Sequence, residues 1–186
     1  MLTKTPIQVQ WEPFFLNGSG IPEEGEDLAE HISKKYGPQM AARFSQPDNP
    51  LSAAGAKVGI AFNPQRKVIP TMRGHSLMEW ANKRSVQDGH RLMEALFKAY
   101  FEGAQNVNQR DVLLGVGRGV FGEEFVPEME AAMDSRANQD EVVRKDRDAK
   151  TRMRVSGVPY FVIGEQAFSG AQPPEFLAEV LEDQKA

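Results

Sequence analysis

From Ile7 to Glu12 apolar and polar residues alternate, with Ile7, Val9 and Trp11 on one side and Gln8, Gln10 and Glu12 on the other. Period two with β-branched and aromatic residues predicts a strand over 7–16, and Pro13 marks an edge position or an exit. Glycine and proline punctuate 17–25, which reads as a loop. From Glu26 the spacing becomes helical: Leu28, His31, Ile32 and Tyr36 recur at three and four residues until Gly37-Pro38 stops them. A second helix carries Met40, Ala41 and Phe44 and ends before the loop at 46–50. A third covers 51–59.

Thr71 is placed to cap a helix running to about Arg84, with Leu77, Met78 and Ala81 apolar. After Gln87-Asp88-Gly89 the amphipathic pattern is strongest, from His90 to Phe101, where Leu92, Met93, Leu96, Ala99 and Tyr100 share a face. Asn108 followed by Asp111 resembles a capping box opening the next helix. Helical spacing continues through 123–133 and 140–153. The final segment differs. Tyr160-Phe161-Val162-Ile163 reads as a short buried strand, Gly164-Glu165 as a two-residue turn and 166–168 as a second strand. Pro173 and Pro174 suit the first turn of a closing helix over 175–181.

A chain of 186 residues fits one domain and buries enough surface to fold without disulfide or metal. Lys plus Arg number 22 and Asp plus Glu 26, a net charge of −4 that argues against a protein built on nucleic-acid phosphates. Cysteine is absent, which excludes disulfides, thiolate metal sites and a cysteine nucleophile within these residues. No apolar run approaches a membrane span, and the N-terminus lacks a signal-peptide pattern. The expectation is a cytoplasmic protein with neither a nucleic-acid nor a membrane partner.

His31, His75 and His90 are too widely spaced for a local metal motif. Gly115-Val116-Gly117-Arg118-Gly119 lacks the preceding strand and the spacing of a dinucleotide loop, and a glycine-loosened helix is the simpler reading. Residues 144–154 hold six basic and two acidic side chains, either an anion-binding patch or a solvated helix face. The acidic run Glu23, Glu24, Glu26 and Asp27 suits a helix start.

The sharpest signal is Ser156 to Ile163, followed by Ser169-Gly170-Ala171-Gln172-Pro173-Pro174-Glu175. A proline directly before a strand cannot donate to a ladder and often sits in a tight, sometimes cis, turn; the Val158–Pro159 bond is expected to be cis because the loop must turn backbone groups toward a ligand groove. That arrangement turns the Val158 N–H and C=O outward, where an extended peptide can pair with them. The 169–172 turn leads into a helix N-terminus whose free amides attract a carboxylate. A rigid turn and an ordinary cap account for the same residues without a ligand.

Together, V-S-G-V-P-Y-F-V-I-G at 155–164 and S-G-A-Q-P-P-E at 169–175 resemble the C-terminal part of the DsbA-like thioredoxin-fold family. The nearest subgroup comprises FrnE-like and 2-hydroxychromene-2-carboxylate isomerase-like proteins. WEPFFLN at 11–17 resembles that family's second strand and following loop, and HRLMEALFKAYFEG at 90–103 its helical insertion. The resemblance implies an α/β fold: a single thioredoxin-like domain over 1–186, with thioredoxin parts at 1–17 and 154–186 and a helical insertion at 24–150. It implies thiol–disulfide oxidoreductase chemistry, yet the family's first strand and C-x-x-C helix have no counterpart in this sequence. No catalytic residue therefore carries over. Val158, Pro159, Ser169, Gly170, Ala171 and Gln172 carry over as substrate-binding residues for a thiol- or disulfide-containing small molecule or peptide. The alternatives are a glutathione-dependent isomerase or transferase and a non-catalytic peptide- or thiol-binding protein; glutathione is the one cofactor suggested. Without the central strand the sheet is split, and three outcomes stand open. The sequence is incomplete, the strands at 7–16 and 160–163 close on each other, or another chain fills the gap, with homo-oligomers forming through the exposed edges.

Overall fold

Four helices carry the apolar stripes that make the core. A computed structural model describes residues 7–16, 20–46 and 48–184. The helices are α1 (Leu28–Tyr36), α2 (Pro38–Phe44), α3 (Pro50–Lys57), α4 (Met72–Arg84), α5 (Val86–Phe97), α6 (Arg110–Phe121), α7 (Val126–Asp134), α8 (Arg136–Thr151) and α9 (Pro174–Asp183). The strands are β1 (Glu26–Asp27), β2 (Lys67–Val68), β3 (Tyr160–Ile163) and β4 (Gln166–Ser169). Leu77, Met78 and Ala81 of α4 meet Leu92 and Leu96 of α5, Leu113 and Leu114 of α6, and Met129 and Met133 of α7. Of these, Leu77, Met78, Ala81, Leu92 and Leu96 are positions that the helical spacing marked as apolar. Val142 of α8 is also fully buried.

Two close approaches fix how these helices pack. A Cβ at Gly89 would collide with Asn82 Oδ1, so glycine lets α5 lie against α4. The break expected at 87–89 therefore lies earlier. Ser85 ends α4 and caps α5, its hydroxyl accepting from Asp88 N at 3.0 Å, and the glycine belongs inside the helix. Gly117 lies in α6 against Met129, whose Sδ a Cβ would strike. The 115–119 glycines thus lie in a helix and not in a phosphate loop, and of the three only Gly117 is a packing position. A π-helical turn, Lys98–Glu102, extends α5. Its Phe101 C=O accepts from Asn63 N at 2.7 Å.

Other caps differ from the sequence reading. Thr71 makes no side-chain cap bond to α4. Asn108 does not open a capping box: Gln109 is the N-cap of α6. Asn108 is instead buried, donating its Nδ2 to Glu23 Oε2 at 2.8 Å. The acidic run is structural, with Asp27 Oδ1 accepting from Glu30 N at 2.9 Å to cap α1, and Glu26 accepting from Lys34 at 2.6 Å.

The strand expected over 7–16 is not formed. Among the described residues no backbone ladder runs along this segment, and β3 pairs with β4 alone. The alternation is real, but a strand needs a partner, and without one the segment becomes an extended strap. Ile7 and Val9 are 57% and 40% exposed, whereas Trp11 and Pro13 are covered. Side chains take over the role of a ladder. Asn82 Nδ2 donates to Trp11 C=O at 2.9 Å, Phe15 N donates to Asp146 Oδ1 at 2.8 Å, and Lys150 Nζ donates to Phe15 C=O at 3.0 Å. The strap therefore does not close on β3. It lies on α4, α5 and α8.

Candidate functional site

The antiparallel pair β3–β4 places Tyr160 opposite Ser169 and Ile163 opposite Gln166. Gly164 at φ 58° makes the tight turn between them. Because the register ends at Tyr160 and Ser169, the preceding Val158-Pro159 and the following Gly170-Ala171 emerge side by side. Gly170, at φ 84°, aims its N–H at the Pro159 C=O, 2.9 Å away. Gln172 Nε2 donates to Ser169 C=O at 2.9 Å, closing the turn. All six expected binding residues thus lie at one end of the hairpin. The Val158–Pro159 peptide bond is cis.

Val158 is the residue with capacity to spare. Its side chain is half exposed. Among the described residues neither its N–H nor its C=O has a partner. Among the described residues the far edge of β3 is likewise unpaired, and Val162 in this strand is 56% exposed. The inner side of the hairpin is held by aromatic packing. Phe161 stacks on Phe168 at 5.5 Å, and Phe168 meets Phe176 of α9 edge-on at 5.1 Å.

The helix N-terminus offers less than the sequence implied. Pro173 and Pro174 occupy the N-cap and first positions and have no N–H. Only the Glu175 and Phe176 amides remain as free donors, and the Glu175 carboxylate sits in that same first turn. A carboxylate at this end would rest mainly on the amides of Ala171 and Gln172. Three of the six basic residues of the stretch 144–154 are spent on local pairs along α8 and at its C-cap. Arg144 pairs with Glu141 and Asp148, Lys150 with Asp146, and Arg152 with Asp148.

Sequence reasoning missed a second polar cluster, beneath the strap. Glu79, 5% exposed, accepts from Lys145 Nζ at 2.9 Å, and Lys145 also reaches Glu12 at 3.0 Å. Beside it His75 meets Phe15 edge-on at 5.1 Å. Burial drives the His75 pKa down from 6.5 to about 4, against a smaller opposing pull from Asp146. His90 accepts from Trp11 Nε1 through Nδ1 at 3.1 Å, so the two histidines lie under the strap but do not form a metal site. No cluster of three metal-ligating side chains occurs among the described residues. The signal that was available is Glu79 itself, a charge within one turn of Leu77, Met78 and Ala81 on the buried side of α4.

A helical block is followed by the β3–β4 hairpin and a closing helix, the element order that the sequence resemblance placed at the C-terminal end of a thioredoxin-like domain. The family model of the DSBA-like thioredoxin domain matches residues 2–182, and the chain belongs to that family. In the solved structure of a probable DsbA oxidoreductase from Streptomyces coelicolor, 88% of this chain superimposes with a TM-score of 0.74 at 26% identity, covering 70% of that chain. The protein YwbO of Bacillus subtilis is 23% identical over 186 residues, spanning 96% of this chain and 83% of the relative. The fold is therefore DsbA-like. No helix among the described residues is long and apolar enough to cross a membrane.

Proposed function

We propose that the end of the β3–β4 hairpin is the ligand-holding half of a thiol–disulfide site. It takes an extended peptide or a glutathione-like thiol compound as one added rung on Val158, with the ligand carboxylate directed to the Ala171 and Gln172 amides. The observation that carries this reading is the unpartnered main chain of Val158, set beside a turn already closed by Gly170 N and Gln172 Nε2. A preformed turn lets the ligand bond without ordering the loop first. Membership of the DsbA-like family supports thiol chemistry as its setting. These 186 residues contain no cysteine, so the reacting sulfur belongs to the ligand or to another polypeptide segment.

The test is an amide-resolved NMR titration with S-methylglutathione, which cannot undergo exchange, together with an insulin-reduction assay on the same preparation. Shifts confined to Val158, Ala171 and Gln172, with insulin turnover no higher than a heat-treated control, are the expected result. Insulin turnover well above that control, or no shift at these amides up to ~10 mM ligand, where a Kd of ~1 mM corresponds to about −4 kcal/mol, overturns the proposal.

A further inference from the structure

We propose that the cavity between α1, α2, α3 and the 60–66 loop binds a small, ring-sized organic monocarboxylate through the guanidinium of Arg66. This site shares no residue with the hairpin and does not depend on the thiol reading. The cavity is about 120 Å³, and its apolar wall is formed by Leu28, Ile32, Phe44, Leu51 and Phe62. That is somewhat less than the roughly 150 Å³ of a cavity that admits benzene, so the space suits at most a single ring or a short branched chain, and a larger cofactor does not fit. Its shape depends on Gly55, where a Cβ would come within 2.7 Å of both the Ile60 C=O and the Phe62 ring. Glycine in α3 is what allows Phe62 to close over the space.

Among the described residues most polar groups around the cavity are committed, with one cationic exception. Asp27 Oδ1 caps α1. Asn49 Oδ1 accepts from Leu51 N and Ser52 N at 3.1 and 3.0 Å, and its Nδ2 donates to Ser52 Oγ at 2.9 Å. Ser45 Oγ donates to Ala41 C=O at 2.9 Å. Arg66 is the exception. It is half-buried, held with its guanidinium 5.8 Å from the Phe62 ring centre and 5.7 Å from that of Phe101. Its one hydrogen bond to protein among the described residues runs from Nη1 to Asn63 C=O at 2.9 Å. Among those residues no carboxylate lies within ion-pair distance, although Asp27 shares the cavity wall. A guanidinium has five N–H donors in a planar fork shaped for a carboxylate. Partial burial lowers the Arg66 pKa, against a smaller opposing pull from Tyr100. Aromatic faces fix the fork in place but do not use its in-plane donors. A carboxylate would use them while its apolar body fills the pocket; an uncharged molecule of equal size would gain only the second contribution.

The experiment compares 4-fluorobenzoate with 4-fluorobenzamide, its uncharged isostere, by fluorine NMR relaxation against the full chain at neutral pH. Benzoate binding about tenfold or more tighter than benzamide is expected, the ratio one charge-assisted bond supplies. In Arg66→Met, which keeps the stem over the two rings, the ratio should fall to near one. Arg66→Lys should keep part of it. Equal affinities in the wild-type protein, or no binding of either probe, overturn the proposal without recourse to a variant. A preference retained in Arg66→Met, with its thermal melt unchanged, overturns it too.

Discussion

His75 makes the stability of this protein depend on pH in a direction fixed by its surroundings. Covered by the strap and packed edge-on against Phe15 at 5.1 Å, the imidazole loses water that would solvate its charged form. Its pKa falls from 6.5 to about 4, with Asp146 offsetting part of the burial effect. The folded protein therefore holds His75 neutral in a window where the unfolded chain takes up a proton. Above pH 6.5 both states are neutral and the folded state keeps its full stability. As pH drops from 6.5 towards 4 the unfolded chain binds more protons and stability is lost, at up to ~1.4 kcal/mol per pH unit and ~3 kcal/mol across the window. Against a typical folding stability of ~5–15 kcal/mol that is a large fraction. Denaturant unfolding of the wild-type protein and of His75→Gln, from about pH 7 to about pH 4.5, isolates this residue from the carboxylates titrating over the same range. The difference between the two curves should shrink steadily with falling pH below 6.5. Proton NMR should show the His75 ring unprotonated at pH 5. Parallel stability curves, or a His75 ring titrating near 6.5, would refute the argument.

Two further changes test the packing. Gly117→Ala should cost ~1–3 kcal/mol by forcing the fully buried Met129 off its position, whereas Gly115→Ala and Gly119→Ala in the same helix, with open space around them, should stabilise by ~0.5–1 kcal/mol; thermal melts of the three variants decide this. Lys145→Met should cost about 3 kcal/mol, because it leaves Glu79 buried with Lys83 no nearer than 3.9 Å. Adding Glu79→Leu should recover most of that loss in a chemical denaturation series, and a double variant no more stable than Lys145→Met would contradict it.

Helix positions were legible in the sequence because local spacing fixes them. Leu28 to Tyr36, Met72 to Arg84 and the Leu92–Leu96 stripe follow from three- and four-residue periodicity, and the contact between helices only selects which stripe is buried. The hairpin was legible for a similar reason. A proline, four apolar residues and a Gly-centred turn leave few alternatives, so Val158, Pro159 and Ser169–Gln172 could be placed together from the chain alone. What required the tertiary structure was every feature whose partner is distant in sequence. The alternation at 7–12 has the signature of a strand, but a ladder needs a second edge, and Asn82, Asp146 and Lys150 supply the bonds instead. Gly89 looks like a break until Asn82 is seen beside it, and Asn108 like a cap until Glu23 arrives from 85 residues away. Glu79, His75 and Arg66 gain their properties only from what packs around them. Periodicity states which way a side chain points along its own element; desolvation, pairing and the absence of a counter-ion are set by the other elements that close over it.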